Sequence, residues 1–254
     1  MNSSRRAAIK EMLTDKPFVS LKELEEAFPK VSSMTLRRDI EYFEKLGDAI
    51  KVRGGARSMK FITTSMEDSF HQRLGENTTA KERIALRALS LIEPGHSLFL
   101  DSGTTILRLA ELLPDERNNI ITTGPNIALE LIKKSQPIVN LVGGMINRDN
   151  ISISGNQAIA FLDSINIDLA LICPSGFSLK DGFTSGNFSE CELKRMVVGK
   201  ARKVVVLMDR SKLDRTLPYT FCQLDRVNTI ITDGLPDDVA EAAEDAGVEV
   251  IVAG

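Results

Sequence analysis

The sequence predicts a chain of two units: an N-terminal winged helix-turn-helix, followed by a larger α/β unit with a Rossmann-like, doubly wound sheet. Residues 1–57 show three short helical patterns and then an alternating segment that turns on paired glycines, which is the outline of a winged helix-turn-helix. Beyond residue 80, helical patterns alternate with continuously apolar strand runs. Such an alternation is typical of a parallel sheet with helices on both faces. We therefore place the two domains at residues 1–57 and 81–254, with residues 58–80 as the connector.

The composition is that of an ordinary soluble protein. Of the 254 residues, 43% are hydrophobic and 26% are charged, and no apolar run approaches the roughly 18 residues of a membrane span. The N-terminus has no apolar segment followed by a cleavage site, so we expect a cytoplasmic protein. Three cysteines without paired spacing and only two histidines indicate neither a disulfide framework nor a metal site. We accordingly predict no metal, no cofactor and no membrane partner.

The first two helices of the N-terminal domain follow from apolar spacing and capping residues. An apolar stripe at helical spacing predicts a first helix over residues 4–16. Phe18 and Val19 then form a short extended piece. Ser20, with Glu23 three residues later, has the pattern of a capping box that starts the second helix.

A third helix, with Ser33 as its predicted cap, is the candidate reader of DNA. At about 100° per residue, its apolar positions Leu36, Ile40 and Phe43 fall on one face, which is therefore the predicted core side. The exposed residues of its N-terminal turn are Ser33, Met34, Thr35, Arg37 and Arg38. In helix-turn-helix motifs this turn enters the major groove, where arginine bonds guanine or phosphate. Taken alone, the arginine pair is better explained as part of a solvated helix face.

The segment after the third helix changes that interpretation. Residues 49–57 alternate and turn on Gly54 and Gly55, which predicts a small β-hairpin, or wing, tipped by Arg53 and Arg57. Glycines let a backbone approach phosphates closely. The N-terminal domain carries 12 lysines and arginines against 9 acids, whereas the rest of the chain carries 20 against 26. A basic head on an acidic body favours a DNA-binding domain in which Arg53, Gly54 and Gly55 also contact DNA.

The runs VSSMTLRRDIEYFEKLG and VRGGA closely resemble the DNA-binding signature of the DeoR family of bacterial transcriptional regulators. The paired Arg37 and Arg38, the Asp39 that follows them, and the GGA at the expected distance are the most specific parts. The resemblance implies a winged helix whose reader helix starts at Ser33 and whose partner is double-stranded operator DNA. Asp39 has the wrong charge for a phosphate contact, so we expect it to orient an arginine or bond the backbone.

Beyond the connector, the predicted strands end in small polar or glycine-containing loops. In a doubly wound sheet, ligands bind at the carboxyl ends of the strands, near the point where the strand order reverses. The first such loop is DSGTT, which comprises Asp101, Ser102, Gly103, Thr104 and Thr105. Its hydroxyls and the amides that open the next helix suit a phosphate group. One loop of this kind is equally a plain helix cap, but five small or polar loops at strand ends indicate a binding crevice.

The runs FLDSGTT, LVGG, GFTSGNFSECELKR and MDRSK resemble the sensor domain of the same family. The resemblance thus extends over nearly the whole chain. It implies a fold similar to ribose-5-phosphate isomerase and an effector that is a phosphorylated sugar or a related metabolite. Besides the DSGTT loop, the implied effector positions are Thr123, Gly124, Gly144 and Lys194, although Lys194 equally fits a solvated helix lysine. The loops TTGPN and CPSG depart from the family pattern where contact with the variable part of the ligand is expected.

The isomerase comparison also raises the alternative of an enzyme with a DNA-binding head. Proton transfer between sugar carbons needs a carboxylate base, and where those isomerases carry carboxylates this chain has ICPSG at residues 172–176. Glu190 or Glu192 remains as a match for the catalytic glutamate. Cys173 has no histidine in the ligand loops to activate it. We therefore predict no catalytic residue and no enzyme.

The predicted protein is a sequence-specific DNA-binding regulator, a repressor of carbohydrate-metabolism genes that is gated by a phosphorylated sugar or related metabolite. Because a single small winged helix gives limited specificity, we expect a homodimer or homotetramer. An isomerase-like enzyme with a DNA-binding head and a sensor of a non-phosphorylated ligand are the alternatives.

Overall fold

The computed structural model describes residues 2–16, 18–52, 54–58 and 68–254. The chain forms two compact units, Met1–Met66 and Glu67–Gly254, and each has its own hydrophobic core. No helix among the described residues is long and apolar enough to cross a bilayer.

The N-terminal unit packs helices against a small antiparallel sheet. Its described elements are α1 (Asn2–Asp15), β1 (Phe18–Ser20), α2 (Leu21–Ala27), α3 (Ser33–Lys45), β2 (Ala49–Val52) and β3 (Gly55–Ser58). In the sheet, β3 lies between β1 and β2, so the short extended piece before α2 pairs with the wing. Apolar side chains from all these helices, among them Ile9, Leu24 and Leu36, form one buried cluster. The predicted winged helix-turn-helix is confirmed.

Serine side chains cap α2 and α3, with one correction to the prediction. Ser20 and Glu23 form the expected capping box, in which Glu23 N–H donates to Ser20 Oγ at 3.1 Å and Ser20 N–H donates to Glu23 Oε2 at 2.8 Å. The cap of α3 is Ser32, whose Oγ accepts from Thr35 N–H at 3.3 Å, and Ser33 is already the first helical residue. Two consecutive serines are equally good caps by residue type, so the backbone of the preceding turn decides between them.

The second unit alternates helices and strands along the chain. Its described helices and strands are α4 (Phe70–Gly75), α5 (Thr78–Leu89), β4 (Ser97–Leu100), α6 (Thr104–Leu112), β5 (Asn119–Thr122), α7 (Pro125–Leu131), β6 (Ile138–Leu141), β7 (Met145–Asn147), β8 (Ser152–Ser154), α8 (Asn156–Asp163), β9 (Leu169–Ile172), β10 (Gly176–Ser178), β11 (Gly182–Ser185), α9 (Phe188–Lys200), β12 (Lys203–Leu207), β13 (Tyr219–Cys222), β14 (Thr229–Thr232), α10 (Asp237–Asp245) and β15 (Glu249–Val252).

A parallel sheet runs through the centre of this unit. Among the described residues it has seven strands in the order β15-β14-β12-β9-β4-β5-β6. The chain builds outward from β4 to β6 on one side and then from β9 to β15 on the other, so the strand order reverses between β4 and β9. Separate clusters of buried apolar side chains cover the two faces. The Rossmann-like, doubly wound sheet is confirmed, and its switch point lies between β4 and β9.

Two antiparallel pieces are absent from the sequence prediction: the hairpin β7–β8 and the sheet β10-β11-β13. Their strands are only three or four residues long, which is too short for an alternating pattern to be recognised. Each piece begins just after the carboxyl end of a central strand, β6 or β9. They therefore lie on the side of the sheet where ligands bind.

Part of the predicted connector folds with the second unit. Residues 59–67 lie outside the described residues. Phe70 and Arg73 are buried, and Phe70 N–H donates to Asp149 O at 2.7 Å. The limits of the connector at residues 58 and 80 stay a prediction.

Candidate DNA-binding surface and effector crevice

The first turns of α3 present the residues predicted to read DNA. Four of them, Ser33, Met34, Arg37 and Arg38, are exposed to solvent. The fifth, Thr35, is half-buried, and its N–H and its Oγ1 lie 3.3 and 3.0 Å from the hydroxyl of the helix cap. The predicted apolar face of the helix is buried in the core. The helix is thus held from one side and leaves this turn open to a DNA groove.

Asp39 anchors α3 to α1. Its carboxylate accepts from Arg5 Nε at 2.6 Å and from Arg6 Nε at 2.9 Å, and Arg6 also lies 3.7 Å above the Tyr42 ring. Burial alone would raise the pKa of the Asp39 carboxyl, but the hydrogen bonds from the two arginines outweigh it and lower that pKa. The expectation that Asp39 orients an arginine is confirmed.

The wing is fixed to the N-terminal unit by a close backbone approach at Gly55. A Cβ at this residue would lie 2.2 Å from Val19 O, so only glycine lets β3 pair with β1. Gly54 makes the turn with a φ of +90°, which also favours glycine. Arg53 lies outside the described residues. Arg57 lies within β3, which corrects its predicted place at the wing tip.

A cleft of about 290 Å³ separates α3 from the wing, and its lining residues are Leu21, Arg37, Ile40, Lys51, Val52, Gly54 and Gly55. Lys51 is paired with Glu41 at 2.6 Å. Among the described lining residues, Arg37 is thus the cation without an acidic partner at the point where helix and wing meet, a position that suits a phosphate of a DNA strand.

Asp101, Lys194 and Cys173 meet at the switch point of the sheet. Lys194 Nζ lies 2.8 Å from Asp101 Oδ2 and donates to Cys173 O at 2.6 Å. Asp101 also accepts from the N–H groups of Cys173 and Ser102, at 3.0 and 2.9 Å. The Lys194 side chain is only 6% exposed, which excludes a solvated helix lysine. The ion pair ties α9 to the ends of β4 and β9.

Close approaches at Gly103 and Gly124 bring three strand ends together. A Cβ at Gly103 would lie 2.8 Å from Cys173 Cβ, and a Cβ at Gly124 would lie 3.2 Å from Ser102 Cα. The loops after β4, β5 and β9 therefore touch one another, as the binding crevice requires.

Thr123 and Gly144 are placed beside the β7–β8 hairpin. Thr123 O accepts from Ile153 N–H at 2.8 Å. Gly144 has a φ of +149°, and a Cβ there would lie 2.5 Å from Ser154 O. The hairpin thus closes over the end of β5.

The N-terminus of α6 has no side-chain cap. Its capping position is Gly103, which has no side chain to bond the N–H groups of the first turn. The hydroxyls of the buried Thr104 and Thr105 lie at the same place. No hydroxyl of DSGTT thus occupies the capping position of this helix, and the N–H groups and helix dipole at this point favour an anion. A binding role for the loop stays a prediction.

Three lysines gather at the strand ends around this helix. Lys81 is buried and interacts electrostatically with Asp209 and Lys212. Burial lowers the pKa of the Lys81 ammonium, and the Asp209 carboxylate opposes this shift. Lys194, paired with Asp101, is the third of these lysines. Ammonium groups gathered in a partly dehydrated place suit an anionic ligand.

Three residues of the crevice, Lys81, Asn126 and Lys212, are not among the effector contacts predicted from the sequence. Asn126 is in the first turn of α7, and neither polar atom of its buried amide has a hydrogen-bond partner among the described residues. A buried amide left this way costs about 1–3 kcal/mol, so a ligand would be a favourable partner. Asn126 and Lys212 stand at the recognised strand ends TTGPN and MDRSK, which is a usable signal. Lys81 lies in a helix, and no such signal in the sequence marks it.

The groups considered for catalysis are occupied or inert. Glu190 accepts hydrogen bonds from Asn147, Asn150 and Ser152, and it therefore holds the hairpin. Burial raises the pKa of the Cys173 thiol to about 12, so the thiol is protonated and a poor nucleophile.

Comparison with known proteins assigns both units. Residues 5–61 match the DeoR-like helix-turn-helix domain, and residues 76–234 match the DeoR C terminal sensor domain. The chain belongs to the DeoR family. This DeoR-family protein is a DNA-binding transcriptional regulator and not an enzyme.

Named relatives of this DeoR-family regulator match it over almost their whole length. The HTH-type transcriptional regulator GlpR of Haloferax volcanii is 31% identical over 98% of this chain and 97% of its own. The HTH-type transcriptional repressor GlcR of Bacillus subtilis is 31% identical, with coverages of 88% and 86%. The glycerol-3-phosphate regulon repressor of Escherichia coli is 28% identical, with coverages of 92% and 92%.

Among solved structures, ribose 5-phosphate isomerase A of Methanocaldococcus jannaschii aligns with the DeoR-family regulator over 55% of this chain and 56% of its own. The TM-score is 0.41 and the sequence identity 18%. A likeness of this size adds nothing to the fold described above.

Proposed function

We propose that this DeoR-family regulator represses carbohydrate-metabolism genes and leaves its operator when a phosphorylated sugar or a related anionic metabolite binds. The observation that carries the effector class is the gathering of Lys81, Lys194 and Lys212 around the uncapped N-terminus of α6. The name of one relative, the glycerol-3-phosphate regulon repressor, points to a phosphorylated metabolite as well. We also propose a cytoplasmic homodimer or homotetramer.

The proposed ligand contacts follow from the chemistry of the crevice. The phosphate group binds at the N-terminus of α6, where Ser102, Thr104 and Thr105 add hydroxyl donors and Lys212 adds charge. The amide of Asn126 bonds a hydroxyl or carbonyl group of the ligand. Asp101 positions Lys194 and the strand-end loops, since its oxygens are engaged by those groups.

A thermal-shift panel tests the effector class. Each phosphate ester is paired with its unphosphorylated parent sugar, which separates an anion sensor from a sensor of a neutral ligand. At 100 times its dissociation constant, the right phosphate ester is expected to raise the Tm of the second unit by about 5–10 °C. The Lys212→Ala variant loses this shift, and Lys180→Ala, an exposed lysine of the same unit, keeps it. A neutral parent that shifts the Tm as much as its ester would exclude the phosphate.

The release of DNA needs a connection from the crevice to the described part of the predicted connector, residues 68–80. Arg73 in α4 donates to Asn150 Oδ1 at 3.1 Å, and Asn150 Nδ2 donates to Glu190 at 3.1 Å. Lys81 Nζ donates to the carbonyls of Arg73 and Glu76. An anion that draws Lys81 toward the crevice therefore loosens α4. Asn150, in the loop of the β7–β8 hairpin, connects Arg73 of this helix to Glu190. The ligand must favour one of the two arrangements, or nothing shifts.

The Asn150→Ala variant is expected to bind the effector with unchanged affinity and to stay on the operator when the effector is added. Wild-type coupling in such proteins is typically about 5–150-fold in DNA affinity, and we expect it to fall close to 1 in the variant. Gel shifts with and without effector measure the ratio. Asn147→Ala is the matched control, because Asn147 also donates to Glu190 at 3.1 Å and, among the described residues, makes no hydrogen bond to Arg73. If both variants respond like the wild type, the proposed connection is wrong.

A further inference from the structure

The parallel sheet ends in an open strand, β6. Ile138 N–H and Val142 N–H donate to Asn118 O and Thr122 O on the β5 side. Because alternate residues of a strand face the same side, the N–H groups of Val139 and Leu141 point away from β5. No described strand pairs with that outer side.

The strand β6 is short and follows Pro137, but no charged residue protects this edge. Residues 137–144, PIVNLVGG, contain no charge, whereas an edge strand normally carries charged side chains or is covered. Ile138 and Leu141 are 53% and 42% exposed. An open, uncharged, apolar edge of this kind is a site of association.

The helix next to this edge extends the apolar surface. The helix α7 packs on β5 and β6. On one side it contacts α6, and no other described helix makes extensive contacts with it. The helix α7 is therefore the outermost described helix of its layer. Leu129 and Ile132 lie three residues apart on one side of α7 and are 63% and 62% exposed. We define the edge patch as Leu129, Ile132, Ile138 and Leu141.

We propose that the edge patch is the interface with a second copy of this chain, related by a two-fold axis. In such an interface every residue of the patch meets the same patch, so any net charge would oppose itself. The edge patch suits this arrangement because none of its four residues is charged. Of the nearby charges, Glu130 and Lys133 are paired with each other at 2.5 Å, and Lys134 Nζ donates to Glu111 O at 3.5 Å. The choice of a second copy rests in part on the proposed function, because operator half-sites require two reader helices.

The oligomeric state of three full-length variants tests the interface. Ile138→Asp and Leu129→Asp place charges in the edge patch, and Val252→Asp places the same charge on β15, the opposite edge of the same sheet. Val252 and Ile138 are both 53% exposed, so the two substitutions are matched. Sedimentation equilibrium and light scattering give the mass over a dilution series, and thermal unfolding confirms that each variant is folded.

We expect the two patch variants to weaken self-association by at least about 30-fold, the size of an interface hot spot, and Val252→Asp to assemble like the wild type. A wild type that is monomeric where it binds operator, or patch variants that assemble normally, would overturn the interface. The effector panel on the monomeric variants separates the two proposals. A retained Tm shift shows an intact sensor whatever the outcome for the interface.

Discussion

Replacing Arg37 and Arg38 together with alanine is expected to abolish specific operator binding and to leave effector binding unchanged. Both side chains are exposed on the first turns of α3, and an arginine contact to a base edge contributes about 1–3 kcal/mol. Removing both arginines from each reader helix therefore lowers operator affinity by at least about 100-fold. Gel shifts on the DNA upstream of the gene measure the affinity. Their repetition over a salt series shows how many phosphates the two side chains neutralise.

The control for this experiment is the double variant Lys22→Ala, Lys45→Ala, which removes the same charge from the N-terminal unit. Lys45 is in the last turn of α3, and the Lys22 side chain is 84% exposed on α2. We expect this variant to bind operator within a few-fold of the wild type. If it loses as much affinity as the arginine variant, then net charge explains the effect and α3 is not the reader.

The Lys194→Met variant is expected to destabilise the second unit and to abolish the effector response. Without the ammonium, the Asp101 carboxylate remains 2% exposed and without its cation, which costs about 3–5 kcal/mol. For a unit of this size the Tm falls by about 6–20 °C. Thermal unfolding and the effector-induced Tm shift report the two effects separately.

Two further variants show which part of this effect belongs to the buried pair. Arg195→Ala, one residue along α9, removes an exposed pair with Glu192 and the hydrogen bonds of Arg195 to Thr220 O, and should cost no more than about 2 kcal/mol. Adding Asp101→Asn to Lys194→Met removes the buried charge and should restore most of the Tm without restoring the effector response. A restored response would show that Lys194 only supports the fold.

The parts of the fold that repeat a pattern are predictable from the sequence. The buried face of α3 follows from helical spacing, and the continuous apolar strand runs predict a parallel sheet, because both depend on local periodicity. The strands β10, β11 and β13 escape prediction for the opposite reason. Each is short, and β11 pairs with residues 219–222, far away along the chain.

The sequence predicts a position for the crevice but not its contacts. Strand-end loops identify Asp101 and Gly124, since the topology alone brings such loops together. Lys81 could not be found this way, because a lysine in a helix is usually solvated and only the tertiary packing buries it. Gly55 shows a different limit. From the sequence, the glycine pair indicates a turn and a close approach to phosphates, whereas in the structure Gly55 allows the close approach of Val19 O.

The array formed by Arg73, Asn150 and Glu190 uses no residue of the loops TTGPN and CPSG. Under the proposed function, those loops select the ligand and the array transmits its arrival. Substitutions in the loops can therefore change which ligand is detected. The array that transmits the response can stay the same meanwhile. A scaffold divided in this way can diversify into detectors of many metabolites, and sensor units exchanged between relatives should keep their ability to switch.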